Sequence, residues 1–446
     1  MATERDTIAA VATAPGAGGV GIVRVSGPGA RGIATALCGR EPAARHASFT
    51  RLRDADGEVI DEGIALLFAA PASYTGEDVL ELQVHGSPPV LAALLRRCLQ
   101  LGARMARPGE FTERAFLEGK LDLAQVEAVA DLIAAGSESA ARAARRSLQG
   151  EFSRQVEAVL EHLIELRVYI EAALDFPDEQ IDFLAAPELL RRRDGVAAAL
   201  ATLLADARRG SRLREGLHVL ILGAPNVGKS SLLNALARED RAIVSDIAGT
   251  TRDLLRESLD LDGVLLTLVD SAGLREAPDA IEAEGIRRAR AELPRADLVL
   301  AVGDHARPPA LDADTRALLP RGAQVLWIHA KCDLGDAGTR AESREDGEHL
   351  WLSARTGAGM EGLRARLREA AGGAGEGGFS ARERHLDALE RASSLLADAA
   401  ANLAQARGEL AAEDLRRCQQ ALAEITGAFA ADDLLGRIFA GFCIGK

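Results

Sequence analysis

The chain has 446 residues, more than one hydrophobic core usually organises, so its length predicts about three domains. Apolar residues make up 48% of it, which excludes global disorder. Lysine and arginine number 53 against 67 aspartates and glutamates, and the resulting net charge of −14 argues against nucleic-acid binding over the whole surface. Any such contact would be local or made through a partner.

The cysteines and the hydropathy pattern indicate a cytoplasmic protein. The five cysteines lie far apart without a CxxC pair, which argues against both a disulfide framework and a structural zinc site. Charged residues follow Met1 where a signal peptide would have its apolar segment, and no uncharged run reaches 18 residues. We therefore expect reduced thiols, no export and no membrane span.

Residues 1–118 are expected to form an α+β domain. Short β-branched or alternating runs at 20–25 and 78–82 are bounded by glycine or proline, a pattern typical of strands. A helix rich in alanine and leucine is predicted over Pro89–Leu101.

From Leu121 the apolar spacing changes to steps of three and four, which places one apolar stripe on each helix. This pattern predicts a helical bundle that is broken at Phe176-Pro177 and continues in a helix over Ala186–Arg208. The stripe residues are Val126, Val129, Ala130 and Ile133, then Val156, Val159, Leu163, Leu166 and Ile170.

Residues 216–371 alternate strand, loop and helix, which predicts a single doubly wound α/β domain. Its expected buried strands are Leu217–Leu222, Val264–Val269, Asp297–Val302 and Val325–His329.

A glycine-rich stretch at 372–378 has the composition of a flexible linker, and helical spacing resumes after it. The later stripe residues are Leu389, Leu396 and Leu403, then Leu415, Cys418, Leu422 and Ile425. We therefore predict a multidomain α/β plus all-α chain. It comprises an N-terminal domain (1–118), a discontinuous helical domain (119–215 and 372–446) and an inserted α/β domain (216–371).

The segment Gly223–Ser230 matches the phosphate-binding P-loop pattern GxxxxGK[ST] completely. It lies between the strand ending at Leu222 and a helix predicted over Ser231–Leu236, so its backbone N–H groups would converge on phosphates at a helix N-terminus. Lys229 would reach the β and γ phosphates and the Ser230 hydroxyl would bind Mg²⁺. The residues predicted around the phosphates are Asn226, Val227, Gly228, Lys229, Ser230 and Ser231.

Two downstream segments have the order and spacing of GTPase switch regions. The first is GTTRD from Gly249, in which Thr251 would give Mg²⁺ a second hydroxyl ligand. The second is DSAG from Asp270, a carboxylate that ends a buried strand as a Walker B aspartate does. The predicted nucleotide contacts here are Gly249, Thr250, Thr251, Asp270, Ser271, Ala272 and Gly273.

Base recognition departs from the usual NKxD pattern, because Ala330-Lys-Cys-Asp333 lacks the asparagine. Asp333 would accept hydrogen bonds from the guanine N1–H and amino groups, and Lys331 would cover the ring. Ser353, Ala354 and Arg355 resemble the final base-contacting loop. Loss of one buried polar partner costs about 1–3 kcal/mol, so we predict weaker but still guanine-selective binding.

Several stretches together resemble the MnmE (TrmE) tRNA-modification GTPases over essentially the whole chain. They are PNVGKSSLLN, GTTRD, DSAGLRE, the terminal FCIGK, PGAGGVGIVRVSG, SYTGEDVLELQVHG and RPGEFTERAFLEGKLDLAQVEAVADLI. The resemblance implies a K⁺ ion held by Asn226, Ser245, Ile247 and Thr250, with Asp246 and Ala248 in the same nucleotide-binding switch.

The resemblance also implies a replacement for the water-orienting glutamine of many small GTPases, because Leu274 follows DSAG here. A carboxylate at Glu282 would orient the attacking water, with Asn226 and Lys229 completing the catalytic set. The residues alone fit a solvated helix face at Glu282 equally well.

For the N-terminal domain, the resemblance implies dimerisation and the binding of 5-formyltetrahydrofolate or a related folate. The matched positions are Arg24, Glu81, Lys120 and Lys446, which from the residues alone also fit solvent-exposed charges. The GxGxxG pattern from Gly16 does not predict a dinucleotide site, because the chain continues as a strand where that site needs a helix.

Cys443 is either a catalytic nucleophile, favoured by the nearby lysine, or a small buried apolar residue. Prenylation is rejected because Gly445 and Lys446 do not fit its terminal motif.

The activity implied is that of a homodimeric GTPase acting with the FAD-containing MnmG (GidA) partner. The pair would add a carboxymethylaminomethyl group to C5 of the wobble uridine of certain tRNAs, with the folate as one-carbon donor and tRNA held mainly by the partner. One alternative is a ribosome-assembly RNA-binding GTPase, which predicts a basic appendage or a second P-loop, and neither occurs in the sequence. The second alternative is a purely structural dimerising GTPase.

Overall fold

The computed structural model describes residues 6–175, 187–239, 241–242, 256–261, 264–270, 293–320, 323–334, 338–370, 378–405, 407–428, 432–442 and 445. The chain forms two compact units, one of residues 1–130 with 420–446 and the other of residues 131–419. The three-domain division expected from the sequence stays a prediction.

The first unit is built on a six-stranded sheet of order β3-β4-β5-β2-β1-β6. Its strands are β1 (Ile8–Val11), β2 (Gly18–Ser26), β3 (Ser48–Arg53), β4 (Val59–Phe68), β5 (Val79–Gly86) and β6 (Arg104–Met105). Its first helices are α1 (Ala30–Cys38), α2 (Pro88–Gln100) and α3 (Glu110–Leu117). Because β2 runs on as a strand antiparallel to β1, the GxGxxG segment opens no helix, as predicted.

Side-chain alternation along β1 gives this sheet two buried faces. Ala9 joins the core formed with α1 and α2, whereas Ile8 and Ala10 pack with Phe111 of α3 on the opposite face. A further cluster joins Leu123 and Val126 to Phe439 and Phe442, so the C-terminal segment of this unit packs against α4 (Leu123–Ala134). The sheet is therefore covered on both sides by helices.

The helical elements confirm most of the predicted stripes. They are α4 (Leu123–Ala134), α5 (Glu138–Leu148), α6 (Glu151–Asp175), α7 (Pro187–Glu215), α11 (Glu383–Ala404), α12 (Gly408–Thr426) and α13 (Asp432–Ala440). Every stripe residue in α6, α11 and α12 is buried. Ile133 is 52% exposed, so its predicted burial is wrong; it lies in the last turn of α4. The predicted break at Phe176-Pro177 lies outside the described residues, as does the predicted linker up to residue 377.

The α/β part of the second unit has an eight-stranded sheet of order β13-β14-β12-β11-β7-β10-β9-β8. The strands are β7 (Leu217–Leu222), β8 (Arg241–Ala242), β9 (Arg256–Leu261), β10 (Val264–Asp270), β11 (Leu298–Gly303), β12 (Gln324–His329), β13 (Arg340–Arg344) and β14 (Gly347–Trp351). The helices are α8 (Lys229–Glu239), α9 (Ala313–Ala317) and α10 (Met360–Ala370).

The five central strands of this sheet are parallel, and the core predicted as a doubly wound fold is confirmed. Antiparallel strands close both edges, β9 beside β10 and β13 beside β14, which the sequence did not predict. Apolar side chains fill both faces of the sheet, with α8 and α10 on one of them. The chain leaves β7 toward β10 on one side and returns to β11 on the other, which creates a switch point beside β7.

Candidate functional site

The phosphate loop leaves the central strand β7 and enters α8, as the motif requires. Gly223 has φ +155°, and a Cβ there would collide with the Val302 carbonyl, so only glycine lets the loop pass the neighbouring strand β11. Asn226 also has a positive φ, +64°, which turns the loop toward α8. The loop is thus shaped by close backbone packing at the switch point.

Lys229 is buried and its ammonium group lies against the loop it belongs to. Its Nζ donates to the Gly223 carbonyl at 2.7 Å and to the Ala224 carbonyl at 3.0 Å. A buried ammonium held by carbonyl oxygens is placed to exchange them for the anionic oxygens of a phosphate. Ser230, the next residue, is exposed in the first turn of α8.

The carboxyl ends of the parallel strands bring together residues that are far apart in the sequence. β10 ends at Asp270, whose register partner in β7 is Ile221, two residues before the phosphate loop. β12 leads into Ala330 and β14 into Ser353, and both loops lie beside the phosphate loop around one cavity. This arrangement is the ligand-binding edge of an open α/β sheet.

A cavity of about 220 Å³ lies between these loops, and all five predicted base-contacting residues line it. Its lining is Gly228, Ser231, Ala330, Lys331, Asp333, Leu334, Ser353, Ala354 and Arg355. Lys331 and Asp333, predicted to cover and to hold the guanine, therefore meet the residues of the last loop. They also lie next to the phosphate loop, as one nucleotide spanning base and phosphates requires.

The Asp333 carboxylate is kept ionised by its neighbours. A hydrogen bond from Ser353 and another from Arg355, whose Nη2 lies 2.6 Å from Oδ2, hold the pKa of Asp333 below its ordinary value. An ionised carboxylate is the acceptor that the guanine N1–H and amino group need. Arg355 is well exposed, so it can move as a base enters.

In the N-terminal unit, two of the four predicted folate positions form an ion pair. Arg24 Nε lies 3.0 Å from Glu81 Oε1, with both side chains mostly buried, on the adjacent strands β2 and β5. The Arg24 guanidinium also lies 5.6 Å from the ring centroids of Tyr74 and Phe111. Tyr74 is partly exposed, whereas Phe111 is fully buried in the core of the unit.

The other two folate positions differ in what surrounds them. The Lys120 Nζ donates to the Pro71 carbonyl at 2.7 Å and to the Ser73 carbonyl at 2.5 Å, so it holds the loop that carries Tyr74 and makes no described contact with Arg24. Lys446 lies outside the described residues. Its neighbour Gly445 accepts a 3.4 Å hydrogen bond from Arg24, and its φ of +100° against Val11 allows no side chain there.

Many predicted site residues lie outside the described part of the chain, and their roles stay predictions. They are Ser245, Asp246, Ile247, Ala248, Gly249, Thr250, Thr251, Ser271, Ala272, Gly273, Glu282, Cys443 and Lys446. Asp270 is described only as the end of β10.

Two residues that contact the predicted sites were not predicted from the sequence. Asp304 follows β11 and binds Lys331; a polar residue directly after a buried strand was the available signal. Tyr74, one of only two tyrosines, lies within a stretch that the family resemblance had already singled out.

The phosphate loop, the Walker B strand and the base cavity at one sheet edge define a P-loop GTPase. Comparison with known families agrees. The model described as GTP-binding protein TrmE N-terminus matches residues 7–120, and the model described as MnmE helical domain matches residues 123–443.

Two full-length relatives carry the name tRNA modification GTPase MnmE. The one from Xanthomonas campestris pv. campestris (strain B100) is 57% identical, and the one from Stutzerimonas stutzeri (strain A1501) is 56% identical. Both alignments cover 100% of this chain and 100% of the relative. The chain therefore belongs to the MnmE (TrmE) family.

Among solved structures, the G domain of the T. maritima FeoB iron transporter matches at 23% identity with a TM-score of 0.25, over 35% of this chain and 98% of that one. This similarity is too low to bear on the fold. Within the described residues, no helix combines the length and apolar character needed to cross a membrane.

Proposed function

We propose that this protein uses GTP hydrolysis to modify tRNA, adding a carboxymethylaminomethyl group to C5 of the wobble uridine together with the FAD-containing MnmG partner. The observation that carries the proposal is the end-to-end match, above 55% identity, to relatives named tRNA modification GTPases. The protein acts as a homodimer in the cytoplasm, and tRNA is held mainly by the partner. The −14 net charge is consistent with that division of labour.

For GTP hydrolysis, the residues of the phosphate loop bind and orient the triphosphate. Lys229 would exchange the Gly223 and Ala224 carbonyls for the β and γ phosphates, and Ser230, Asp270 and Thr251 would hold Mg²⁺. Mg²⁺ at this position would supply charge neutralisation for the transferred phosphoryl group. The cavity beyond Gly228 takes the base, with Asp333 as acceptor and Lys331 over the ring.

Water activation is assigned to Glu282, and K⁺ to a site made of Asn226, Ser245, Ile247 and Thr250. The assignment of Glu282 is supported by Leu274, whose side chain has no group to orient a water. The assignment of the K⁺ site is supported by Asn226, which is exposed in the phosphate loop.

We test the assignment of Glu282 by measuring GTP hydrolysis in KCl and NaCl for the wild type and for Glu282→Ala, with Glu284→Ala as control. We expect K⁺ stimulation in the wild type and at least a tenfold loss in Glu282→Ala alone, typical of general acid–base residues. A variant that keeps the K⁺-stimulated rate would remove Glu282 from the mechanism.

For the one-carbon donor, Arg24 and Glu81 form the proposed 5-formyltetrahydrofolate site, with Lys120 and Lys446 contributing charge. The mostly buried Arg24–Glu81 pair, flanked by Tyr74 and Phe111, supports this assignment. Replacing Arg24 by methionine is expected to abolish 5-formyltetrahydrofolate binding in calorimetry.

Arg51→Met is the matched control, because the Arg51–Glu62 pair lies in the same sheet but is well exposed. Equal folate affinity in Arg24→Met and the wild type would exclude this site.

The decisive experiment reconstitutes the reaction with purified MnmG, unmodified tRNA, GTP and the folate, and analyses wobble uridine by mass spectrometry. Modification that requires this protein supports the proposal, whereas GTP hydrolysis without modification would favour a ribosome-assembly or purely structural GTPase. In the same assay, Cys443→Ser distinguishes a nucleophile from a packing residue, since a nucleophile's loss stops the reaction.

A further inference from the structure

The ammonium group of Lys331 is anchored on two other segments of the sheet edge. Its Nζ donates to the Asn226 carbonyl of the phosphate loop at 2.6 Å and to Asp304 Oδ2 at 2.7 Å. The Lys331 backbone has a positive φ of +59°, and the residue lines the base cavity. Because these two hydrogen bonds fix the ammonium group, the methylene chain of Lys331 forms part of the cavity wall.

The Asp304 carboxylate that binds Lys331 is itself fixed in place by burial and by backbone hydrogen bonds. It follows β11 and is only 8% exposed, and its second oxygen, Oδ1, accepts the backbone N–H groups of Ala306 and Arg307, each at 3.0 Å. The bond from Lys331 holds the pKa of Asp304 below its ordinary value. The carboxylate is therefore a fixed anion whose remaining oxygen faces Lys331.

Ala330 shows why such an anchor matters in this chain. Guanine-binding loops usually carry asparagine at this position, but here the side chain is a buried methyl group. Ala330 lies beside the phosphate loop, since a Cβ added at Gly228 would be in van der Waals contact with the Ala330 Cβ at 3.6 Å. A side-chain hydrogen bond from position 330 to the phosphate loop is chemically impossible, and Lys331 makes one from the next position.

We propose that Asp304 is a positioning residue for guanine-nucleotide binding, which fixes Lys331 across the base cavity and onto the phosphate loop. The proposal rests on the assignment of this cavity to the guanine base. Without Asp304, Lys331 would have to give up the rotamer freedom of a long side chain each time a nucleotide binds. Since Lys331 is partly exposed, we expect the loss to be about tenfold in affinity, or 1.4 kcal/mol.

The test is a double-mutant cycle on the full-length protein, with GDP affinity measured by calorimetry for Asp304→Asn, Lys331→Met and the combination. We expect roughly tenfold weaker GDP binding in each single variant and little further loss in the combination. In steady-state hydrolysis, the Asp304→Asn defect should appear in the KM for GTP rather than in kcat.

Asp314→Asn, the same substitution at an exposed site on α9, is the control and should bind GDP as the wild type does. Trp327 and Trp351 lie in the same sheet, so their fluorescence checks that each variant is folded.

Two results would overturn the role of Asp304: unchanged GDP affinity in Asp304→Asn, or a further tenfold loss when the substitution is made in Lys331→Met. The assignment of the cavity to guanine is tested separately with ADP. A wild-type protein that binds ADP as tightly as GDP would contradict that assignment. The cycle repeated with ADP would then still decide whether Asp304 acts through Lys331.

Discussion

Glu110 is a buried carboxylate on which the N-terminal unit depends, and its replacement by glutamine should be costly. Its side chain is 3% exposed and accepts hydrogen bonds from Arg104 Nη1 at 2.8 Å, from the Arg107 N–H at 2.8 Å and from Arg114 Nη2 at 3.3 Å. Burial raises the pKa of Glu110, but the bonds from Arg104 and Arg107 outweigh it and lower the pKa to about 2. The network links α3 to β6, the strand paired with β1, and Phe111 of α3 packs against Ile8 and Ala10 of β1.

The pKa of Glu110 sets the size of the effect. A change from the ordinary 4.5 to about 2 corresponds to about 3 kcal/mol of folding free energy. Because the folded-state pKa is depressed, this stabilisation is complete above about pH 4.5 and is lost as the pH falls toward 2. We therefore expect Glu110→Gln to cost about 3 kcal/mol at pH 7 and less than half of that at pH 3.

Hydrogen exchange followed by mass spectrometry provides the measurement. At pH 7, amides of β1 and α3 that exchange through unfolding of the unit should exchange roughly a hundredfold faster in Glu110→Gln. Both tryptophans lie in the other unit, so tryptophan fluorescence reports on that unit, whereas exchange of the β1 and α3 amides reports on this one.

The matched control is Glu62→Gln, which breaks an exposed pair with Arg51 and should have almost no effect. Equal exchange rates in Glu110→Gln and the wild type, or an equally large acceleration in Glu62→Gln, would refute the reasoning.

Three further predictions follow from other charged groups. Asp131→Asn should lower the free energy of unfolding of the second unit by about 1–3 kcal/mol, because Asp131 accepts hydrogen bonds from Arg214 and Arg382 at 2.8 and 2.7 Å. An unchanged melting temperature would contradict this prediction. Asp333→Asn should weaken GDP binding at least tenfold and favour XDP, since an amide donates where xanthine accepts; calorimetry with both nucleotides decides. Burial lowers the pKa of His329 to about 4, so the second unit should lose stability as the pH falls from 6.5 toward 4. His329→Gln should flatten that dependence in unfolding followed by tryptophan fluorescence.

Local patterns allowed much of the fold to be predicted. The buried stripe of α6 and the central strand β7 depend on the spacing of apolar residues within one segment, and both are confirmed. The antiparallel edge strands were missed because β13 is largely exposed and carries no apolar run. Its pairing with β14 is decided by backbone hydrogen bonds, which leave little trace in the side-chain pattern.

The phosphate loop could be predicted from local sequence, because eight consecutive residues specify both the turn and the phosphate-binding groups. Length and composition indicated a multidomain chain. Which distant residues come into contact depends on how the strands and helices pack. The parallel strands end at one edge, so Asn226, Asp304 and Lys331 converge although 105 residues separate the first from the last. Arg24 likewise contacts Glu81 because their strands pair in the sheet, and it also contacts the Tyr74 ring. Its hydrogen bond to Gly445 forms because the C-terminal segment packs beside β2. Such contacts arise from packing over long sequence separations, which no local spacing encodes.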